Sequence, residues 1–103
     1  MIKESFFYNH NKVFKELIKL DTSSISKLMN LREYLLGVQK KKKKVFVFGN
    51  GGSAAIANHF IIDLMKNTKI RAINLNETSI ITCLSNDYGY ENWIKKSIEF
   101  NAD

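Results

Sequence analysis

The chain has no proline, a single cysteine (Cys83), two histidines and only two arginines among its 103 residues. One cysteine cannot form an internal disulfide or supply a zinc knuckle, so a disulfide-stapled secreted scaffold is excluded. Without proline there is no proline-rich linker, polyproline ligand or collagen repeat. Purely apolar runs are only a few residues long, which excludes a transmembrane helix. The first residues, MIKESFFYNHNK, contain no apolar stretch and no small-residue cleavage site, so they are not a secretory signal. The cytoplasm is the expected compartment. The scarcity of arginine (Arg32 and Arg71) argues against nucleic acid as a partner, because arginine supplies most bidentate phosphate and base recognition.

What is present is a folding chain. Hydrophobic residues make up 45% and aromatic residues 12%, which excludes a disordered tail. The length allows one domain. The net charge of +6 comes from 16 Lys+Arg against 10 Asp+Glu, but Lys40–Lys44 form one unbroken run, and without those five the charge falls to +1. The protein is near neutral with one basic spot. That spot reads either as a solvated turn before a strand or as a contact for a polyanion.

Phe6, Phe7, His10, Val13, Phe14, Leu17, Ile18 and Leu20 recur at helical spacing. Asp21-Thr22-Ser23-Ser24 breaks the pattern and offers N-cap side chains for a second helix on Ile25, Leu28, Met29, Leu35 and Leu36, which Gly37 and the lysine run are expected to end. Two amphipathic helices leave apolar surface over, which suggests oligomer contacts. Val45–Phe48 is a β-favouring run read as a strand buried on both faces. Gly49–Ser53 follows at once, then helical spacing from Ala54 to Met65, then a second strand at Arg71–Leu75. This order is the βαβ unit of an open parallel sheet, and the class is α/β. Glu77–Ser85 is expected as a short helix or turn opened by Asn76 or Thr78, Asn86–Gly89 as a loop, and Tyr90–Phe100 as a helix facing inward with Trp93. Cys83 and Trp93 read as core, and His10 as a packed histidine. Tyr88 and Tyr90 could approach a ligand or pack the loop.

Two features carry chemistry. Gly49-Asn50-Gly51-Gly52-Ser53 lies beyond the carboxyl end of a strand, where doubly wound sheets bind ligands. Its glycines permit positive φ and close backbone approach, Ser53 can cap the following helix, and the helix N-terminus offers N–H groups to an anion. The loop is neither a dinucleotide fingerprint nor a Walker loop. It fits a phosphate, or the hydroxyls of a phosphorylated small molecule, or a bare turn. On the helix, residues advance by ~100° each, leaving a polar seam of His59, Asp63 and Lys66 on an otherwise buried cylinder. His59 and Asp63 stand one above the other and can pair at the surface, share a proton or hold one metal ion.

At these residues the sequence resembles the sugar isomerase (SIS) family, and within it the phosphoheptose isomerases. The carriers are F-G-N-G-G-S-A-A-I-A-N-H-F (Phe48–Phe60) and T-S-I-I-T-C-L-S-N-D-Y-G-Y-E (Thr78–Glu91), with their separation and the intervening strand. The resemblance covers essentially the whole chain. It implies N-terminal helices followed by the first half of a doubly wound parallel sheet: one partial SIS domain over 1–103, with 1–38 as the helical oligomerisation region and 45–103 as the sugar-phosphate-binding βαβ part. It also implies isomerisation of sedoheptulose 7-phosphate to an aldose for surface-polysaccharide heptose synthesis. His59 would be a metal or substrate ligand and Asp63 a ligand or general base, with zinc as the family's metal. Asn50, Gly51, Gly52 and Ser53 would contact the sugar or its phosphate, and Asp87 its hydroxyls. A homo-tetramer through the N-terminal helices is implied as well.

The family carries Glu where this chain has Asp63, whose carboxylate is set back by about 1.5 Å. The family also continues beyond the matching region with a serine/threonine-rich phosphate loop and a late helix bearing Gln and His. A single 103-residue chain is therefore expected to supply one side of the site and to be inactive in isolation. The other reading is a SIS protein that binds a sugar phosphate, or a protein partner, without catalysis.

Overall fold

The computed structural model describes residues 3–103. Met1 and Ile2, at the start of the expected 1–38 helical region, lie outside the described residues. The chain divides into two compact units, the first ending at Arg32 and the second spanning Glu33–Asp103. Helix α2 (Thr22–Lys40) contributes to both. Among the described residues no helix is long and apolar enough to cross a membrane.

In the first unit, α1 (Glu4–Leu17) carries Glu4 in its first turn and Lys15 in its last, both favourable to the helix dipole. Phe6, His10 and Phe14 stack along it at successive centroid distances of 5.9 and 6.5 Å. His10 is thus packed between rings, but on an exposed face: α1 has no buried residue. Asp21 accepts a hydrogen bond from the Ser24 N–H at 2.6 Å, so it is the cap that opens α2. That bond holds the Asp21 carboxyl below its usual range.

Helix α2 runs through Gly37 rather than stopping there. It ends where Lys42 takes a left-handed φ of +54°. The Lys43 N–H reaches Val38 O and the Lys42 N–H reaches Gln39 O, each at 3.0 Å, which closes the terminus as a Schellman turn with lysine in the position glycine usually takes. The Arg71 guanidinium donates to Lys42 O at 2.9 Å and fixes the turn. Lys40–Lys43 are exposed, in keeping with a solvated turn. Lys44 differs: its side chain is 13% exposed and forms an ion pair with Asp103 at 2.9 Å.

The second unit is built on β1 (Lys44–Phe46), α3 (Gly52–Thr68) and β2 (Arg71–Ile73). The strands pair in parallel with Val45 opposite Ala72. They are followed by α4 (Thr78–Tyr88), a 3₁₀ turn (Tyr90–Asn92) and α5 (Trp93–Asn101). Both strands are shorter than the sequence suggests: β1 ends at Phe46 and β2 at Ile73, with the Val47 N–H still bonded to Ile73 O at 3.1 Å. Alternation along β1 sends Val45 and Val47 to one face, against a core of Ile61, Leu64, Ile70 and Ala72. Phe46 and Phe48 go to the other face and stack, and Phe48 meets Trp93 edge-on at 5.6 Å. Helices therefore cover both faces of β1, as a parallel strand requires. Leu35 of α2 packs on the same core, which is why the compact unit starts at Glu33 rather than at the strand.

Three expectations need correction. Helix α3 is not buried over most of its circumference: only Ala57, Ile61 and Leu64 are buried, while Ile56 is 72% exposed. A two-stranded sheet covers only one narrow stripe of a helix. Cys83 is exposed rather than in the core, on a helix with no buried residue. Asn86–Tyr88 is the last turn of α4 and not a loop. That turn closes at Gly89, whose φ of +88° lies where a side chain would be strained. The cap of α4 is Glu77, whose carboxylate accepts from the N–H groups of Ser79 and Ile80.

Trp93 is 3% exposed and joins α5 to β1. Trp93→Ala should cost about 3–5 kcal/mol in urea unfolding, while Cys83→Ser should stay within about 0.5 kcal/mol. The Glu77 carboxyl is held below its usual value of 4.5, chiefly by the Ser79 N–H and hydroxyl. A depressed native pKa gives stability that is complete above the unfolded value and is lost as pH falls through the native one. Melting curves should accordingly show a loss below about pH 4.5 that is smaller in Glu77→Gln than in the wild-type chain.

Candidate functional site

The carboxyl ends of β1 and β2 open onto a glycine turn. At Gly49 an added Cβ would lie 2.3 Å from Ser53 O and 2.6 Å from the Ala54 N. The strand end is thus pressed directly onto the first turn of α3, and only glycine permits it. Gly51 takes φ +54° and ψ −126°, also a glycine conformation. Gly52 has neither constraint, since a Cβ there would meet nothing within 4 Å. The chain itself gives no reason for glycine at this position; close approach of a ligand would.

The turn uses some of its donors internally. The Ser53 N–H bonds to Asn50 O and the Ala54 N–H to Gly51 O, each at 3.0 Å. The N–H groups of Gly51 and Gly52 meet no acceptor among the described residues. They stand at the positive end of the 17-residue helix α3. Ser53 does not cap the helix: Gly51 is the N-cap and no side chain serves there, because the turn places Ser53 already inside α3. Its hydroxyl is left free of the described residues.

Two residues outside the expected set fix this turn. Asn76, just after β2, donates its side-chain N–H to Gly49 O at 3.0 Å. Tyr90 donates its hydroxyl to Asn50 Oδ1 at 3.0 Å. Both tie the loop after β1 to later segments, and together with Glu91 and Trp93 the turn lines a cleft of about 310 Å³. For Asn76 the available signal was its place at the carboxyl end of a strand. For Tyr90 the structure gives both readings at once, loop packing and an edge of the cleft.

His59 and Asp63 lie further along α3, with His59 Nε2 3.4 Å from Asp63 Oδ2. Their side chains are 78% and 49% exposed. With Ala55, Ile56 and Phe60 they line a shallow hollow separate from the Asn50 cleft. Gly52 and His59 are two helical turns apart, about 10 Å along the axis. Asp87, in the last turn of α4, accepts from the Asn86 side chain at 3.1 Å and faces Cys83 Sγ at 3.7 Å; it does not line the cleft. The structure thus brings Asn50 into the cleft and joins His59 to Asp63, and it leaves Asp87 apart from both.

A zinc site takes three or more protein ligands. Among the described residues no group of three His, Cys, Asp or Glu side chains converges. His59 and Asp63 by themselves do not fit zinc.

The glycines separate structural from ligand roles. Gly49→Ala should destabilise the fold by about 2 kcal/mol or more, because backbone and not a flexible side chain must yield. Gly52→Ala should be neutral or stabilising by up to ~1 kcal/mol, as alanine suits a helix better than glycine. Urea unfolding of the two variants checks the contrast.

The model of the SIS domain family matches residues 5–103. Among curated proteins the chain is similar to the phosphoheptose isomerase of Geotalea daltonii, 36% identical over 96% of this chain and 54% of that protein. It is also similar to those of Helicobacter pylori, 34% identical over 82% of this chain and 48% of that protein, and Aquifex aeolicus, 33% identical over 85% and 51%. The chain spans about half the length of the curated relatives it matches. With a family match over nearly its whole length, a parallel βαβ unit and a glycine turn at the carboxyl ends of its strands, the chain belongs to the SIS domain family.

Proposed function

We propose that this chain carries the sugar-phosphate-binding side of a ketose–aldose isomerase site that converts sedoheptulose 7-phosphate to D-glycero-D-manno-heptose 7-phosphate. The observation that carries the reading is the glycine turn: two N–H groups at the N-terminus of α3 with no acceptor among the described residues, beside a Gly52 whose missing side chain no neighbour among them demands. The names of the relatives support the substrate class.

On this reading the phosphate lies against the Gly51 and Gly52 N–H groups and the Ser53 hydroxyl, where the helix dipole favours an anion. The sugar extends along α3 towards His59 and Asp63, and Asn50 contacts it from the cleft. The reaction removes a proton from C1 of the ketose, passes through an enediolate and returns a proton to C2, while the hydroxyl proton moves from O1 to O2. Asp63 is the candidate base for the carbon-bound proton and His59 the candidate ligand for the oxygens. Asp87 is assigned to sugar hydroxyls by resemblance alone, and it would have to reach them from outside the cleft. A zinc site on His59 and Asp63 would need at least one further protein ligand. The same reading assigns the protein to the cytoplasm and to surface-polysaccharide heptose synthesis, as a homo-oligomer held through its N-terminal helices.

An isomerase site excludes water around its enediolate. His59 and Asp63 stand open to solvent, so binding without turnover is expected of the chain alone. That exposure, together with the shorter Asp63, is also what favours the second reading, a SIS protein that binds a sugar phosphate without catalysis.

Calorimetric titration with sedoheptulose 7-phosphate, paired with an assay for the aldose, separates these outcomes. Binding should be measurable, should weaken at least about tenfold in Gly52→Ala, and should weaken little in Asp63→Asn. Aldose formation that is lost in Asp63→Asn would establish catalysis by the chain itself. Absence of binding at millimolar sugar phosphate would sink both readings.

A further inference from the structure

We infer that the hollow between α4 and α5 is a binding site for a neutral, mostly apolar small molecule that carries one hydrogen-bonding oxygen for Ser97. The hollow measures about 400 Å³, within the range of small-molecule pockets. It shares no residue with the Asn50 cleft or with the hollow at His59 and Asp63. A ligand there is independent of the sugar chemistry proposed above.

Leu75, just after β2, Ile80 and Leu84 of α4, and Phe100 of α5 supply its apolar wall. Phe100 is 62% exposed, yet the Tyr88 ring holds it edge-on at 6.4 Å. One polar group in this wall is orphaned. Ser97 is 1% exposed, and its hydroxyl meets no partner among the described residues. A hydroxyl inside a helix can turn back to the carbonyl one turn earlier, as Thr68 does to Leu64 O and Thr82 to Thr78 O. Ser97 does not. An unpaired buried hydroxyl is costly, and a ligand oxygen removes that cost. The other polar side chains of the wall are engaged within the chain. Ser79 Oγ donates to the Glu77 carboxylate at 2.9 Å, the Asn101 side-chain N–H donates to Ser97 O at 2.8 Å, and Cys83 Sγ turns to the Asp87 carboxylate at 3.7 Å.

The distribution of charge sets the class of ligand. No Asp, Glu, Lys, Arg or His lines the hollow. The charged groups that touch its wall are already used: Glu77 on Ser79, Asp87 on Cys83 and Asn86, and Lys44 on Asn101 and Asp103. A charged ligand would lose its hydration and gain no counter-ion, so the occupant is neutral. A phenol with a short alkyl group has the required apolar body and single oxygen.

p-Cresol and toluene, which differ by one hydroxyl, test this on the full 103-residue chain at neutral pH. In an ¹⁵N-resolved NMR titration, p-cresol should give saturating shifts centred on Ile80, Leu84 and Ser97. It should bind about tenfold more tightly than toluene, the worth of one buried hydrogen bond. Ser97→Ala removes a hydroxyl that pairs with nothing, so its melting midpoint should hold while the advantage of p-cresol over toluene is lost. Cys83 lines the hollow, is exposed and is the one thiol of the chain. Its alkylation by iodoacetamide should slow about tenfold when p-cresol stands at about ten times its Kd. Equal affinity of the wild-type chain for p-cresol and toluene would overturn the inference. So would p-cresol bound as tightly by Ser97→Ala, or alkylation of Cys83 that p-cresol leaves unchanged. Shifts that grow without saturation over the exposed faces of α1 and α2 would mark nonspecific contact and overturn it too.

Discussion

The close approach of Gly49 to the first turn of α3 governs the rest of the second unit. With no Cβ at that position, the end of β1 can lie directly on the Ser53–Ala54 backbone. That contact sets the angle at which α3 leaves the strand and so determines which of its side chains reach the core. Ala57, Ile61 and Leu64 do. The same contact folds Asn50–Gly52 outward, so that the Gly51 and Gly52 N–H groups remain unused while the Ser53 and Ala54 N–H groups are consumed. A single steric constraint thus fixes both the packing of the layer and the donors left for an anion.

Around this constraint the unit is held by few groups of high consequence. Trp93 brings α5 onto the outer face of β1, and Asn76 and Tyr90 lock the turn from two later segments. The ion pairs outside this core are exposed or half-exposed and contribute little by themselves. The Lys44–Asp103 pair matters for position more than for energy, because it holds residue 103 beside the start of β1.

The residues made much of this legible. Val45–Phe48, the glycine turn and the spacing of Ala57, Ile61 and Leu64 declare strand, turn and helix in order, and the parallel pairing follows from that order. His59 and Asp63 stand paired because four-residue spacing sets them one above the other on α3. What escaped depends on tertiary context. Nothing local says that α3 meets only two strands, so Ile56 reads as buried and is not. Lysine at a left-handed position lets α2 run past Gly37, against the usual preference for glycine there. Asn86–Tyr88 reads as a loop because Asn and Asp favour turns, yet Gly89 one residue later closes the helix that contains them. Ser53 reads as a cap, but the helix is capped two residues earlier, at Gly51. Tyr90 reads as a loop or ligand contact and the structure places it on Asn50, whereas the bond of Asn76 to Gly49 O depends on the tertiary fold.

The central claim is that the glycine turn of this SIS chain, and not its basic run, receives the phosphate of a sugar. An ¹⁵N-resolved NMR titration with sedoheptulose 7-phosphate tests this most directly, because it reads every amide at once. The largest shifts should fall on Gly51, Gly52 and Ser53, followed by residues along α3 towards His59, and should saturate. Shifts confined to Lys40–Lys43, growing without saturation and vanishing with added salt, would mark the lysine turn as a nonspecific anion contact and contradict the assignment of the site.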